Sequence, residues 1–418
     1  MYRWRNTHRP PNPNSIEQFM ELINSDQWNS VKRYQDGDVM FRCITGRDFC
    51  KSIIMMDHHF AGQLLRGDSV VFLHTSQTVI PAVLPFHQLV SFMCLKDKYV
   101  IPCAWALMED DTEESFVAVF EEMKTLLPRM VITEIFATFG KDLHSSLRAQ
   151  FPDAVIHGSF YYYLQELYKV IMDLNLDSRL HEEHDEVKDL LLLVMSLPLL
   201  PEEDIEEAYI EIGSNVDPQI LTLVENFTNY FEDAWIEGVR PPSFSMYRDQ
   251  KGLSDAFMAY ESRINTKIGG NTNVWAFTKS IVKLQKQIYN DHSRRNEGLS
   301  SNIQTPRIVT KSMSASIRRI WNDYDDQYLS VPEFLLNVAH ICVISTINYL
   351  SVSLEYRRGA ADLTRLVRAR IVQQEQGFLD EDGNEDIMVD APPPDDAVDP
   401  LNVAVAPEND ENNNNNND

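Results

Sequence analysis

With 418 residues, 44% of them hydrophobic and 24% charged, the chain has the make-up of an ordinary folded, soluble protein. That composition excludes wholesale disorder, a collagen-like repeat and a disulfide-dense scaffold, and at about 100 to 200 residues per domain the length predicts two or three units. The formal net charge of −26 is uneven: residues 375–418 hold fourteen acids and no Lys or Arg, which leaves −12 for the rest. A body that stays acidic is poorly suited to nonspecific DNA binding, which draws on cations that neutralise phosphates, so any nucleic-acid role must use a local patch.

The opening MYRWRNTHRPPNPN is basic and proline-rich and lacks the apolar stretch of a secretory signal, so an extended entry segment is expected. Residues 15–66 mix short helix-like and strand-like pieces, beginning with SIEQFMELINS, where Ser15 reads as a cap and Glu17 as its capping-box acid. Residues 1–66 are therefore expected to be an N-terminal adaptor. Asp57, His58 and His59 form a polar cluster suited to a turn or helix cap. From Ser69, three short apolar runs, VVFLHTSQT, FHQLVSFMCL and YVIPCAWALM, predict an antiparallel meander.

A helix is expected from Thr112 to Leu127, with Thr112 as cap and acids in the first turn. MVITEIFATF reads as a strand, LHSSLRAQF as a helix and DAVIHGSFYYY as a fifth strand. In that strand Phe160, Tyr161, Tyr162 and Tyr163 are expected in core or edge packing rather than on a base-stacking surface. The order β-β-β-α-β-α-β predicts an α/β protein with a ribonuclease-H-like core over residues 67–163.

Residues 164–250 read as a helical insertion, followed by one long closing helix from Ser254 to Asn290 within 251–291. A linker over 292–311 leads to a C-terminal helical block at 312–372. The tail, 373–418, ends in Asn412–Asn417 and has the composition of a disordered segment. Phe334 to Leu354 is long enough to cross a bilayer, but Asn337, His340 and several Ser and Thr predict a buried helix and no membrane span. Cys43, Cys50, Cys94, Cys103 and Cys342 show no CxxC spacing, so reduced, mostly buried thiols in a nuclear or cytoplasmic protein are expected.

From about Ser69 to Asn290 the chain resembles the transposase domain of Mutator-like elements (MULE). The resemblance rests on PFHQLVSFMCLKDKYVIPCAWALMEDDTEESFVAVFEEMK, IFATFGKDLHSSLRAQFPDA, YFEDAWIEGVRPPSF and RINTKIGGNTNVWAF, which occur in the family's order. It implies a cut-and-paste DNA transposase core in which three carboxylates hold two Mg²⁺ or Mn²⁺ ions. At the positions it implies for those acids stand His74 in HTSQT, Thr138 in ATFGKD, and Met258 ahead of Arg263, Ile264 and Asn265. The family's Cys-x-x-His pair falls on Ser159 and Tyr162.

Residues of these types do not supply the hard anionic oxygens that Mg²⁺ requires, so the resemblance implies a transposon-derived pseudoenzyme with no cofactor. The alternative is an active metal-dependent transposase with shifted acids, for which Glu134, Asp142, Asp255 and Glu261 are the fallback ligands. As single residues these four are expected to be surface or capping acids. His181 and His184 share a metal-capable spacing if both lie on one helix, although a solvated helix start is the plainer reading. Arg294, Arg295, Arg318 and Arg319 are the candidate DNA contacts, with Arg307, Lys311 and Trp321 nearby; pairing with the chain's own acids is the competing reading. The expected protein is nuclear and acts with a protein partner or DNA; the alternative is a homo-oligomer assembled through its C-terminal helices.

Overall fold

The computed structural model describes residues 10–35, 37–182, 184–269, 272–299 and 311–353. The expectations for Arg307, for the Lys311 side chain, for residues 354–372 and for the acidic tail lie outside the described residues. Seven strands form one mixed sheet: β1 (Met40–Thr45), β2 (Lys51–Met56), β3 (Gly67–Ser76), β4 (Gln88–Lys96), β5 (Tyr99–Met108), β6 (Met130–Ala137) and β7 (Val155–Gly158). They lie side by side in the order β1-β2-β5-β4-β3-β6-β7. The pairs from β1 to β3 across this order are antiparallel, whereas β3 with β6 and β6 with β7 are parallel. β5 is buried along almost its whole length, which explains why YVIPCAWALM reads as an unbroken apolar run rather than an alternating one. Asp97 and Lys98 both adopt positive φ at the β4–β5 turn, as a two-residue hairpin that follows the strand twist demands.

The helices are α1 (Ile16–Asn24), α2 (His58–Leu64), α3 (Glu113–Leu126), α4 (Lys141–Gln150), α5 (Phe160–Asp173), α6 (Glu186–Ser196), α7 (Ile205–Ser214), α8 (Pro218–Phe231), α9 (Pro241–Phe244), α10 (Ala256–Ile268), α11 (Val274–Asn296), α12 (Lys311–Asp325) and α13 (Val331–Val338). The chain is thus an α/β protein, a mixed seven-stranded sheet followed by many helices. α3 and α4 provide the crossovers into the parallel strands β6 and β7, and Phe120 of α3 packs edge-on against Phe92 of β4. On the other face of the sheet, Phe257 of α10 packs on Phe72 of β3.

The caps follow the sequence closely. Thr112 accepts from the Ser115 amide at the start of α3, and Asp57 caps α2 from the Phe60 amide. At α1 the capping partner differs: Gln18, not Glu17, accepts from the amide ahead of Ser15, while Glu17 pairs with Lys51 of β2. Gln18 occupies the third helical position, where a side chain can reach back to the cap, and Glu17 sits one residue too early.

The helix that runs from Val331 to Ser353, with a π-helical turn at Ala339–Val343, is long and apolar enough to cross a membrane. It buries Phe334, Leu335, Val338, Cys342 and Leu350, and exposes Glu333, Asn337, His340 and Asn348. Such a one-sided pattern is that of an amphipathic helix laid against a protein core.

Four expectations are corrected. Residues 40–56, read as part of an adaptor, extend the main sheet as β1 and β2. The fifth strand stops at Gly158, and Tyr161, Tyr162 and Tyr163 lie in α5, where all three are buried. A helical turn that is covered all round loses its apolar stripe, and a short aromatic run then cannot be told from a strand by period. The single long helix from Ser254 is two helices, α10 and α11, divided after Ile268, where Gly269 takes φ +70° and Asn273 caps the second. α11 also runs on through Arg294 and Arg295, which belong to a helix rather than a linker.

One test of this helical packing lies at α6. Asp185 accepts from the amides of Val187 and Lys188, and Arg179 Nε lies 2.7 Å from its carboxylate. Burial pushes the Asp185 carboxyl up, but the two amides and Arg179 outweigh it and hold the group below the ordinary carboxylate range. Its stabilising effect is therefore present above the ordinary Asp pKa and lost as pH falls through the depressed one. Asp185→Ala is expected to cost about 1–2 kcal/mol at neutral pH. In urea unfolding, the gap between variant and wild type should close in acid; a gap that stays constant with pH contradicts this assignment.

Candidate functional site

Of the three positions that the resemblance matches to metal ligands, His74 lies near the C-terminal end of β3, Thr138 just past the end of β6, and Met258 on α10. Phe72 of β3 and Phe136 of β6 are direct register partners. His74 lies two residues beyond the first and Thr138 two beyond the second, so adjacent parallel strands carry the two positions at the same level of the sheet. α10, which contains Met258, covers this region through the neighbours of Met258: Phe257 and Tyr260 both pack against His74, at ring separations of 6.5 and 5.2 Å. Two adjacent parallel strand ends and a helix packed over them thus surround His74.

The side chains there are aromatic. Phe72 stacks on Phe136 at 4.9 Å, and Phe136 on His157 at 4.7 Å, which makes a ladder across β3, β6 and β7. Tyr162 of α5 packs on Phe257 at 4.8 Å, and its hydroxyl accepts from the Thr75 amide at 3.3 Å. His74 is 0% exposed and lies in register with Ser91 of β4, which in turn pairs with Trp105 of β5. Over this row sits Tyr260, whose hydroxyl accepts from Trp105 Nε1 at 2.8 Å. Burial pushes the Tyr260 phenol up to about 12, so it stays a neutral hydrogen-bonding group. Quadrupolar rings at these separations attract one another and exclude water.

Thr138 and the fallback acids do other work. The Thr138 carbonyl accepts from His144 Nε2 at 2.6 Å, and burial lowers the His144 pKa, which keeps the ring neutral. Glu134 forms an ion pair with Lys251, with His157 Nε2 at 4.0 Å. Asp142 is exposed in the first turn of α4, and Asp255 is exposed at the start of α10. Glu261 departs from the surface or capping role expected of it: it is 3% exposed, and the Tyr161 hydroxyl donates to its carboxylate. Among the described residues, no group of three or more His, Cys, Asp and Glu is arranged to hold a metal ion. Ser159, at one of the Cys-x-x-His positions, is buried at the cap of α5.

The other candidates separate as well. His181 ends a short 3₁₀ turn and His184 has φ +55°, so the two do not share a helix face; Asp185 between them and α6 is the cap. Arg295 pairs with Asp291 and lies over the Tyr99 ring at 4.1 Å. Arg318 and Arg319 are exposed on α12, with Arg319 Nε 3.7 Å from Asp323. Trp321 is buried, and its indole donates to the Leu199 carbonyl at 2.9 Å, so it packs the core instead of offering a stacking face. Self-pairing with acids therefore accounts for Arg295 and Arg319. The arrangement of aromatic residues around His74 was not legible from motif matching, because Trp105, Tyr162, Phe257 and Tyr260 come from three separate elements. No family model matches the chain, and no curated protein matches it either.

Proposed function

We propose that this is a transposase-derived protein, resembling the MULE transposase domain, that keeps a ribonuclease-H-like scaffold and acts by binding protein or DNA, in the nucleus, without cutting DNA. Two features support the scaffold. The strands β5-β4-β3-β6-β7 form a meander followed by two parallel strands on the far side of β3, and α3 and α4 make the crossovers. The observation that carries the noncatalytic reading is the ring cluster around His74: two-metal catalysis needs carboxylate oxygens converging on cations about 3.5–4 Å apart, and neutral rings fill that place instead.

The experiment is strand cleavage. Purified full-length protein with Mg²⁺ or Mn²⁺ and terminal-repeat duplex DNA is expected to leave the DNA intact over hours. Metal-dependent cleavage that disappears in Glu134→Gln, Asp142→Asn, Asp255→Asn or Glu261→Gln would establish the shifted-acid transposase instead. Glu261 is the most informative of the four, since it is the buried acid on the helix that faces the strand ends.

A further inference from the structure

The exposed face of α11 carries a row of regularly spaced cations. Lys279, Lys283, Lys286, Asn290 and Arg294 recur at i, i+4, i+7, i+11 and i+15. At about 100° per residue this places all five in a stripe roughly 80° wide, running about 22 Å along the helix. Lys279, Lys283 and Arg294 are exposed and Lys286 is half-buried. Across the whole chain acids outnumber Lys and Arg 63 to 37, yet α11 contains a single acid, Asp291, which is buried and paired with Arg295. Lys279, Lys283 and Lys286 form no ion pair with any described residue, in contrast to the candidate cations Arg295 and Arg319. The opposite face of the helix buries Phe277, Ile281, Leu284 and Ile288, so core packing turns the stripe outward.

We infer that Lys279, Lys283 and Lys286 form a surface for the sugar-phosphate backbone of duplex DNA, an inference that rests on the DNA-binding branch of the proposed function. Charge complementarity carries it. Each DNA strand carries one phosphate per about 3.4 Å of axis, so the roughly 10 Å between Lys279 and Lys286 covers about four successive phosphates, room for one contact from each lysine. Lysine binds phosphate as a point charge with no demand on base identity, so the contact is independent of sequence and sensitive to salt.

The test is fluorescence anisotropy of a labelled duplex with the full-length protein over a salt series. Three phosphate contacts at a slope of about 0.9 each predict an affinity loss of about 40-fold between 50 and 200 mM salt. The triple variant K279Q/K283Q/K286Q, folded by circular dichroism, is expected to lose that dependence, and K279R/K283R/K286R to keep it. A glutamine variant with the wild-type slope overturns this surface while leaving DNA binding to Arg318 and Arg319. Polyglutamate that binds more tightly than the duplex overturns the nucleic-acid assignment. Failure of the wild-type protein to bind DNA at low salt overturns the inference together with the DNA branch, and the cleavage assay then judges the noncatalytic scaffold separately.

Discussion

Trp105→Ala is expected to lower the unfolding free energy by about 3–5 kcal/mol, the range for deleting a fully buried aromatic side chain. Trp105 is 0% exposed on β5, between the register partners Met55 and Ser91 on its two neighbouring strands, so no flexible surface can collapse into the space it leaves. The variant also removes the donor to the Tyr260 hydroxyl, and a buried hydroxyl without its partner adds about 1–3 kcal/mol when water cannot enter. Tyr260→Phe breaks the same hydrogen bond from its other side, since it keeps the ring and leaves the Trp105 indole N–H without its acceptor. Urea unfolding of the two single variants and the double variant gives the coupling energy directly. A Trp105→Ala cost below about 1.5 kcal/mol is outside the range for such a truncation and would show that the sheet and α10 are not packed as described.

An acid placed at position 74, which the proposed resemblance matches to a metal ligand, is expected to destabilise the fold and to bind no Mg²⁺. His74→Asp places a carboxylate among Tyr162, Phe257 and Tyr260, where burial disfavours the charged form and raises its pKa. With the folded-state pKa above the unfolded value of about 3.9, the folded state holds more protons between the two values. Stability therefore falls as pH rises through that window, relative to the neutral, similarly shaped His74→Asn. A raise of about three units corresponds to roughly 4 kcal/mol between the two variants at neutral pH, vanishing in acid. Thermal or urea unfolding of both variants across pH reads this out, and Mg²⁺ should not rescue the Asp variant. If His74→Asp were instead stabilised by Mg²⁺ at neutral pH, a second ligand would have to lie within reach, and the noncatalytic reading would lose its main support.

Much of this architecture was written locally. The strands from β3 to β6 and the crossover helix α3 follow from short apolar runs, turn residues and the Thr112 cap, all of which act within a few residues of one another. The division between α10 and α11 was also local, in the run from Gly269 to Asn273, and it was masked only by the apolar periodicity on either side. The lysine stripe of α11 likewise followed from spacing alone once the helix limits were known. The absence of acids at positions 74, 138 and 258 was fixed by residue identity and needed no coordinates.

Other features depended on contacts between distant segments. That β1 and β2 join the sheet beside β5 was decided by a pairing about fifty residues away in sequence, which no local pattern specifies. FYYY could not be read as helix because α5 is covered on nearly every side, so burial removed the periodicity that would have revealed it. Tertiary structure also decided what surrounds His74 and which acids are buried. His74 meets α5 and α10 only because the sheet brings residues about ninety and about one hundred and eighty positions apart into van der Waals contact, and Glu261 became an interior acid through the Tyr161 hydroxyl. Residue identity thus set that positions 74, 138 and 258 carry no acid, while long-range packing set what surrounds His74, because burial is a property of the assembled chain and not of any one segment.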